Sequence, residues 1–138
     1  MAIEPVVVDT GPIVAYLSRR DALHDRATDQ FKRLRAPVYT TWPVLTEAAW
    51  LLREYENPER RLHDFVQTGA VAVLNLPEDA LGWIADLTDQ YKDLRPQLAD
   101  ASLLYIAQQL KTDTVFTFDR RDFSVYRLTG NEPVKIVP

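Results

Sequence analysis

At 138 residues the chain fits one domain and is long enough to bury a hydrophobic core. A composition of 46% hydrophobic and 26% charged residues with four glycines excludes a disordered or collagen-like chain, and the lack of cysteine removes disulfides, thiolate metal sites and cysteine nucleophiles. The formal charge, 16 − 20 = −4, argues against a nucleic-acid binder that works by phosphate neutralisation, unless several acids share one cation that reverses the local sign.

Ile3 to Val8 is a short β-branched run and reads as a buried strand. Asp9, Thr10, Gly11 and Pro12 then turn the chain into a short helix through Ile13 and Leu17, with proline in its first turn. The polar stretch Ser18 to Asp25 leads to a second helix whose apolar members include Ala27, Phe31 and Leu34. Pro37 to Thr40 reads as a strand, and Thr41 as the N-cap of a helix from about Trp42 to Tyr55. Asn57 and Pro58 start another helix that Gly69 ends. Ala70 to Leu76 is a third apolar run, followed by a helix opened by Pro77, Glu78 and Asp79 and carrying Leu81, Ile84, Ala85 and Leu87. After a loop over Leu94 to Gln97 come a helix over Leu98 to Leu110, a strand over Thr114 to Phe118 and an edge strand over Val134 to Val137.

Strands alternating with helices predict an α/β domain with a mostly parallel central sheet of about four or five strands flanked by helices. In such sheets reactive groups gather at the carboxyl ends of the strands, where Asp9 and Asp119 fall. No apolar stretch approaches the roughly 18 residues of a membrane span, and Glu4 and Asp9 bracket only three valines at the N-terminus. The expected location is therefore the cytoplasm, with no membrane partner.

Four acids stand out, each with an ordinary alternative. Asp9 has the composition of a helix cap and Asp119 that of a turn residue. Asp100 has Leu103, Leu104 and Ala107 at i+3, i+4 and i+7, on the apolar side of its own helix, unless the helix starts late and Asp100 caps it. Glu47 borders the stripe of Val44, Leu45, Ala48, Leu51 and Leu52, where a dipole or surface role is also open. Together they say more than singly: two carboxylates about 5.5 Å apart repel by roughly 3 kcal/mol at an effective dielectric of 20, and a divalent cation removes that penalty. Oxygen donors without histidine or cysteine favour Mg²⁺ or Mn²⁺ over Zn²⁺; His24 and His63 sit in polar surroundings and read as surface residues.

Val6-Val7-Val8-Asp9-Thr10, the Glu47 helix, Asp100 ahead of Ile106-Ala107, and Thr117-Phe118-Asp119-Arg120-Arg121-Asp122-Phe123 resemble the four motifs of PIN-domain nucleases. The small single-domain length is similar to that of VapC-type toxins of toxin–antitoxin pairs, with one such domain expected over 1–138. The resemblance implies a ribonuclease whose acidic cluster of Asp9, Glu47, Asp100 and Asp119 holds Mg²⁺ or Mn²⁺ for hydrolysis of RNA phosphodiesters. It further implies Asp122 as an accessory acid, Thr10 and Thr117 as orienting hydroxyls, a small antitoxin partner and a homodimer. Which of Asp119 and Asp122 lies nearer the metal stays open.

Three arginine doublets, Arg19-Arg20, Arg60-Arg61 and Arg120-Arg121, are candidates for phosphate contacts. Solvated surface is the preferred reading for Arg60-Arg61, and a substrate role for Arg120 and Arg121, which adjoin Asp119. Trp42, Trp50 and Trp83 have rings that stack on bases, although helical spacing more often places them in a core or interface. Competing readings are a non-catalytic RNA- or protein-binding module of the same fold, a phosphotransfer domain, disfavoured by Gly11 where a second acid is expected, and a homodimeric aspartic protease built on Asp9-Thr10-Gly11. The last demands an all-β chain.

Overall fold

A computed structural model describes residues 3–138. Five parallel strands form the central sheet in the order β3-β2-β1-β4-β7: β1 (Val6–Val8), β2 (Val38–Thr41), β3 (Ala72–Leu74), β4 (Thr114–Phe116) and β7 (Lys135–Val137). The sheet matches the expected α/β architecture at the upper strand count. β1 is buried throughout because it is central and covered on both faces, which is why its sequence is a run of valines rather than an alternating pattern. Its pairing starts at Val6; Ile3, expected in the strand, is 60% exposed.

The helices are α1 (Thr10–Leu17), α2 (His24–Arg33), α3 (Trp42–Leu51), α4 (Pro58–Gln67), α5 (Ala80–Gln90), α6 (Leu98–Gln109) and the short α7 (Arg120–Phe123). Their starts follow the local chemistry. Thr41 caps α3 by accepting from the Val44 amide, Asn57 caps α4 by accepting from the Arg60 amide, and proline occupies the first turn of both. Gly69, with φ 84°, lies just past the end of α4 in the left-handed conformation that favours glycine. In α5, Ala80, Ile84 and Leu87 face the core, whereas Leu81 points outward and is 66% exposed.

Two elements were not anticipated. α7 begins directly after Asp119, whose side chain accepts from the Asp122 amide. A small antiparallel pair, β5 (Arg127–Leu128) with β6 (Glu132–Pro133), closes through Gly130 and Asn131, both at positive φ.

The chain moves outward from β1 through β2 to β3, then returns to the other side of β1 to lay down β4 and β7. The reversal falls between β1 and β4, and open α/β sheets form their ligand crevice at such a point, outside the carboxyl ends of the strands. α6 brings its own first turn to this crevice: it packs on β1 and β2, and Ala101, Leu103, Leu104 and Ala107 are fully buried. A buried hydroxyl pair, Thr41 Oγ1 and Ser102 Oγ at 2.7 Å, ties the start of α3 to α6. Ser102 donates to the Ala99 carbonyl and Thr41 accepts from Val44, so Thr41 is the donor within the pair.

Candidate active site

β1 ends at Val8, paired with Phe116 of β4. The next residues on the two strands are therefore Asp9 and Thr117, side by side beyond the last rung. Thr117 Oγ1 donates to Asp9 Oδ2 at 2.8 Å and accepts from the Asp119 amide at 2.9 Å. Asp119 Oδ1 in turn accepts from the Asp122 amide at 3.1 Å. One hydroxyl thus links the acid after β1 to the acid after β4, and α7 extends the chain of bonds to Asp122.

Asp100 enters from the first turn of α6. It and the carboxylates of Asp119 and Asp122 each offer an oxygen, and these oxygens lie within 4.8 Å of one another. Asp100 Oδ2 accepts from the Tyr126 hydroxyl at 3.2 Å. The second oxygens of Asp100 and Asp119 have no hydrogen bond among the described residues. Each of these acids is therefore fixed through one oxygen and open at the other.

The electrostatics reflect this crowding. Burial, above all, raises the Asp9 pKa to about 6, with the charges of Glu47 and Asp119 adding to it and the Thr10 amide and Thr117 hydroxyl opposing it. Asp100 rises to about 7, again chiefly through burial, then through the charges of Asp9, Asp119 and Glu47, while the Tyr126 bond acts in the opposite direction. Glu47, half-buried on α3, is thus within electrostatic reach of both. Tyr126 is pushed far up by burial and by the Asp100 charge, so its hydroxyl keeps its proton and serves as a donor.

Of the four anticipated acids, Asp100 and Asp119 join Asp122 in the tight group, Asp9 is tied to Asp119 through Thr117, and Glu47 is connected only through the effect of its charge on Asp9 and Asp100. Thr117 is the central linker. Thr10 is fully buried beside Asp9, and its hydroxyl has no partner among the described residues. Arg120 and Arg121 are exposed, and the Arg120 guanidinium donates to the Pro138 backbone oxygen. Sequence reasoning missed Tyr126: its packing against Tyr91 and Phe123 looks like ordinary core, and no local pattern shows that its hydroxyl reaches an acid 26 residues away.

The donor set suits a hard divalent cation. It is made of carboxylate oxygens, the chain has no cysteine, and the histidines are engaged elsewhere, His24 with the Ala15 carbonyl and His63 beside Asp64. The Asp9-Thr10-Gly11 triplet sits at a strand-to-helix junction of a parallel sheet, so the all-β architecture needed by the aspartic-protease reading is absent from the described residues.

A parallel α/β sheet with acids converging at its topological switch point defines an acidic-crevice domain, and the comparison with known families makes the class specific. The PIN domain model matches residues 6–128, and the chain belongs to that family. It is 24% identical over 135 residues to Ribonuclease VapC26 of Mycobacterium tuberculosis (strain ATCC 25618 / H37Rv), covering 96% of this chain and 100% of that protein. Its fold is similar to the crystal structure of M. tuberculosis VapC20, described as a Sarcin-Ricin loop cleaving toxin, with TM-score 0.75, 19% identity, and coverage of 84% of this chain and 91% of that one. It is also similar to VapBC2 from Rickettsia felis bound to a DNA fragment from their promoter, with TM-score 0.66, 9% identity, and coverage of 97% and 99%. A toxin–antitoxin complex from Klebsiella pneumoniae gives TM-score 0.67, 16% identity, and coverage of 96% of both chains.

Proposed function

We propose that this PIN-domain protein is a Mg²⁺- or Mn²⁺-dependent endoribonuclease that acts as the toxin of a type II toxin–antitoxin pair. The observation that carries the catalytic part is the convergence of Asp100, Asp119 and Asp122 oxygens within 4.8 Å, with Asp9 and Glu47 acting on the same field. Asp9 and Asp100, buried and also exposed to neighbouring carboxylate charges, bind protons more tightly than usual, which suits the site to positive charge. Toxicity, RNA as substrate and an antitoxin partner are supported by the names of the relatives, Ribonuclease VapC26 among them.

Asp100, Asp119 and Asp122 would hold the cation through their open oxygens, with Asp9 and Glu47 completing the acidic wall. When bound, such a cation supplies Lewis-acid chemistry, acidifying water and offsetting charge on the scissile phosphate. Thr117 fixes Asp9 and Asp119 relative to each other through one donated and one accepted bond. Tyr126 holds Asp100 in orientation and favours its ionised form. A carboxylate of the acidic wall that does not hold the cation would be suited to receive a proton released during hydrolysis. Arg120 and Arg121, exposed and next to Asp119 in the chain, would meet phosphate. We assign the protein to the cytoplasm as a homodimer in this reading; none of the helices among the described residues is long and apolar enough to cross a membrane.

Purified protein incubated with a mixed RNA pool in Mg²⁺, Mn²⁺ or EDTA, beside Asp9→Asn, tests the reading. Cleavage in metal that chelation and the substitution each abolish is expected. Cleavage surviving both, or toxicity in cells retained by Asp9→Asn and Asp119→Asn, would favour a metal-independent or purely binding role.

A further inference from the structure

A cavity of about 640 Å³ lies where the end of α1, the loop after it, and the start of α4 meet, away from the acidic crevice. Arg19, Arg20, Arg61 and His24 line it. The protein as a whole is acidic, so three guanidinium groups at one concavity are a local reversal of sign. Among the described residues none of the three forms a salt bridge. Asp21 and Glu54 line the adjoining depression with Arg20, yet neither comes within ion-pair distance of a guanidinium.

The cavity is built rather than incidental. Tyr55 lines it as well, its hydroxyl 2.9 Å from Ser18 Oγ, with the Arg61 guanidinium 3.9 Å and the Arg20 guanidinium 5.2 Å from its ring centroid. Arg61 also donates to the Leu17 carbonyl at 3.1 Å. One aromatic ring therefore gathers two like charges, an arrangement that costs energy until an anion joins them. His24 has its Nδ1 committed to the Ala15 carbonyl at 2.7 Å, which leaves Nε2 as its other polar atom. The Tyr55 hydroxyl is held below its usual pKa, first by the Ser18 bond and then by these arginines.

We propose that this cavity is an auxiliary binding site for the phosphodiester backbone of the substrate RNA, with Arg20 and Arg61 as its principal phosphate contacts. The inference rests on the ribonuclease reading for the identity of the strand. Its position follows from α1, which starts beside Asp9 and ends at the cavity. Eight helical residues span about 12 Å, the length of roughly three or four stacked nucleotides. A strand cut at the acidic crevice thus reaches the arginines with a phosphate a few nucleotides from the scissile bond. Of the two doublets that meet here, Arg60-Arg61 reads as plain surface in the sequence; folding turns Arg61 toward Arg20.

The test is binding of a fluorescein-labelled single-stranded RNA of about 12 nucleotides, followed by anisotropy in EDTA, to the wild type, Arg20→Ala, Arg61→Ala and the double variant. Arg20, unlike Arg61, has no hydrogen bond to a backbone carbonyl among the described residues, so Arg20→Ala keeps the test valid if loss of the Arg61 bond to Leu17 perturbs folding. Each substitution is expected to weaken binding about 10-fold and to reduce the slope of log K against log salt by roughly 0.7. In Mg²⁺, KM for the same RNA should rise with kcat unchanged, while kcat/KM for a trinucleotide too short to span the distance stays at the wild-type value. Wild-type affinity and salt slope in folded Arg20→Ala would overturn the proposal, as would equal losses on the long and short substrates. If the wild type binds RNA through these arginines in EDTA but cleaves none in metal, the catalytic reading fails and the binding site stands. If it cleaves in metal while the variants bind and cleave as the wild type does, the binding site fails and the catalytic reading stands.

Discussion

Asp9→Asn should separate stability from activity in opposite directions. Asp9 is 7% exposed, and burial lifts its pKa from the ordinary 3.8 to about 6. A carboxyl whose pKa is raised by folding binds protons more tightly in the native state, so it contributes stability that is full below the unfolded pKa and lost as pH rises through the folded one. That rise corresponds to roughly 3 kcal/mol between the low-pH and high-pH limits. At pH 8 in EDTA the native wild type carries that ionised, buried group at full cost; at pH 5 roughly half of it has been relieved by protonation. Asparagine keeps the shape and can still accept from Thr117, but its amide protons need partners, which offsets about a third to a half of the gain. The net expectation is an increase of about 1–2 kcal/mol at pH 8, roughly 4–8 °C in Tm for a chain of this size, shrinking toward zero at pH 5. Urea and thermal unfolding in EDTA at both pH values measure it. Saturating Mg²⁺ should stabilise the wild type more than Asp9→Asn, and RNA cleavage should be lost. A variant less stable than the wild type at pH 8, or a gain that grows toward pH 5, would refute the reasoning that burial of an uncompensated charge dominates this position.

Three other substitutions probe the supporting bonds. Thr117→Val removes the hydroxyl that serves Asp9 and Asp119 at once and should cost about 2 kcal/mol in urea unfolding together with most of the activity, whereas Thr117→Ser should restore both; a silent Thr117→Val would contradict the linking role. Tyr126→Phe deletes a bond that favours ionised Asp100, so the Asp100 pKa should climb above about 7 and the acid limb of the rate–pH profile should move to higher pH with the alkaline plateau kept; movement to lower pH would be inconsistent with the bond. Asp122→Asn should raise the Mn²⁺ concentration for half-maximal activity about as much as Asp119→Asn does, and a much smaller effect would return Asp122 to an accessory place.

What could be read from the sequence was what is locally encoded. A valine run in the middle of a parallel sheet, prolines in first turns and Gly69 past α4 each carry their structure in their own chemistry, and β1, α3 and α4 formed accordingly. Asp9 and Asp119 were legible as partners because both end strands, and adjacency of β1 and β4 then brought them together. The boundaries were less legible: Ile3 lies beyond the last β1 pairing, and α3 stops at Leu51, short of Tyr55. The Asp119–Asp122 relation was hidden because it depends on a four-residue helix, too short to show periodicity, although an acid three residues after a capping acid is a usable hint. Tyr126 and the Arg20–Arg61 pair were out of reach for a different reason. Each acts across 26 to 41 residues of chain through packing that only the assembled fold defines.

The central claim is that one cation held by the converging aspartates makes this PIN domain cleave RNA. Its most direct test is a Mn²⁺ titration of RNA cleavage by the wild type and Asp100→Asn, with bound Mn²⁺ counted in parallel by electron paramagnetic resonance. The account predicts that cleavage and occupancy rise together in the wild type and that Asp100→Asn shifts both at least about 10-fold to higher Mn²⁺. Cleavage that proceeds without bound Mn²⁺, or occupancy that Asp100→Asn leaves untouched, would contradict it.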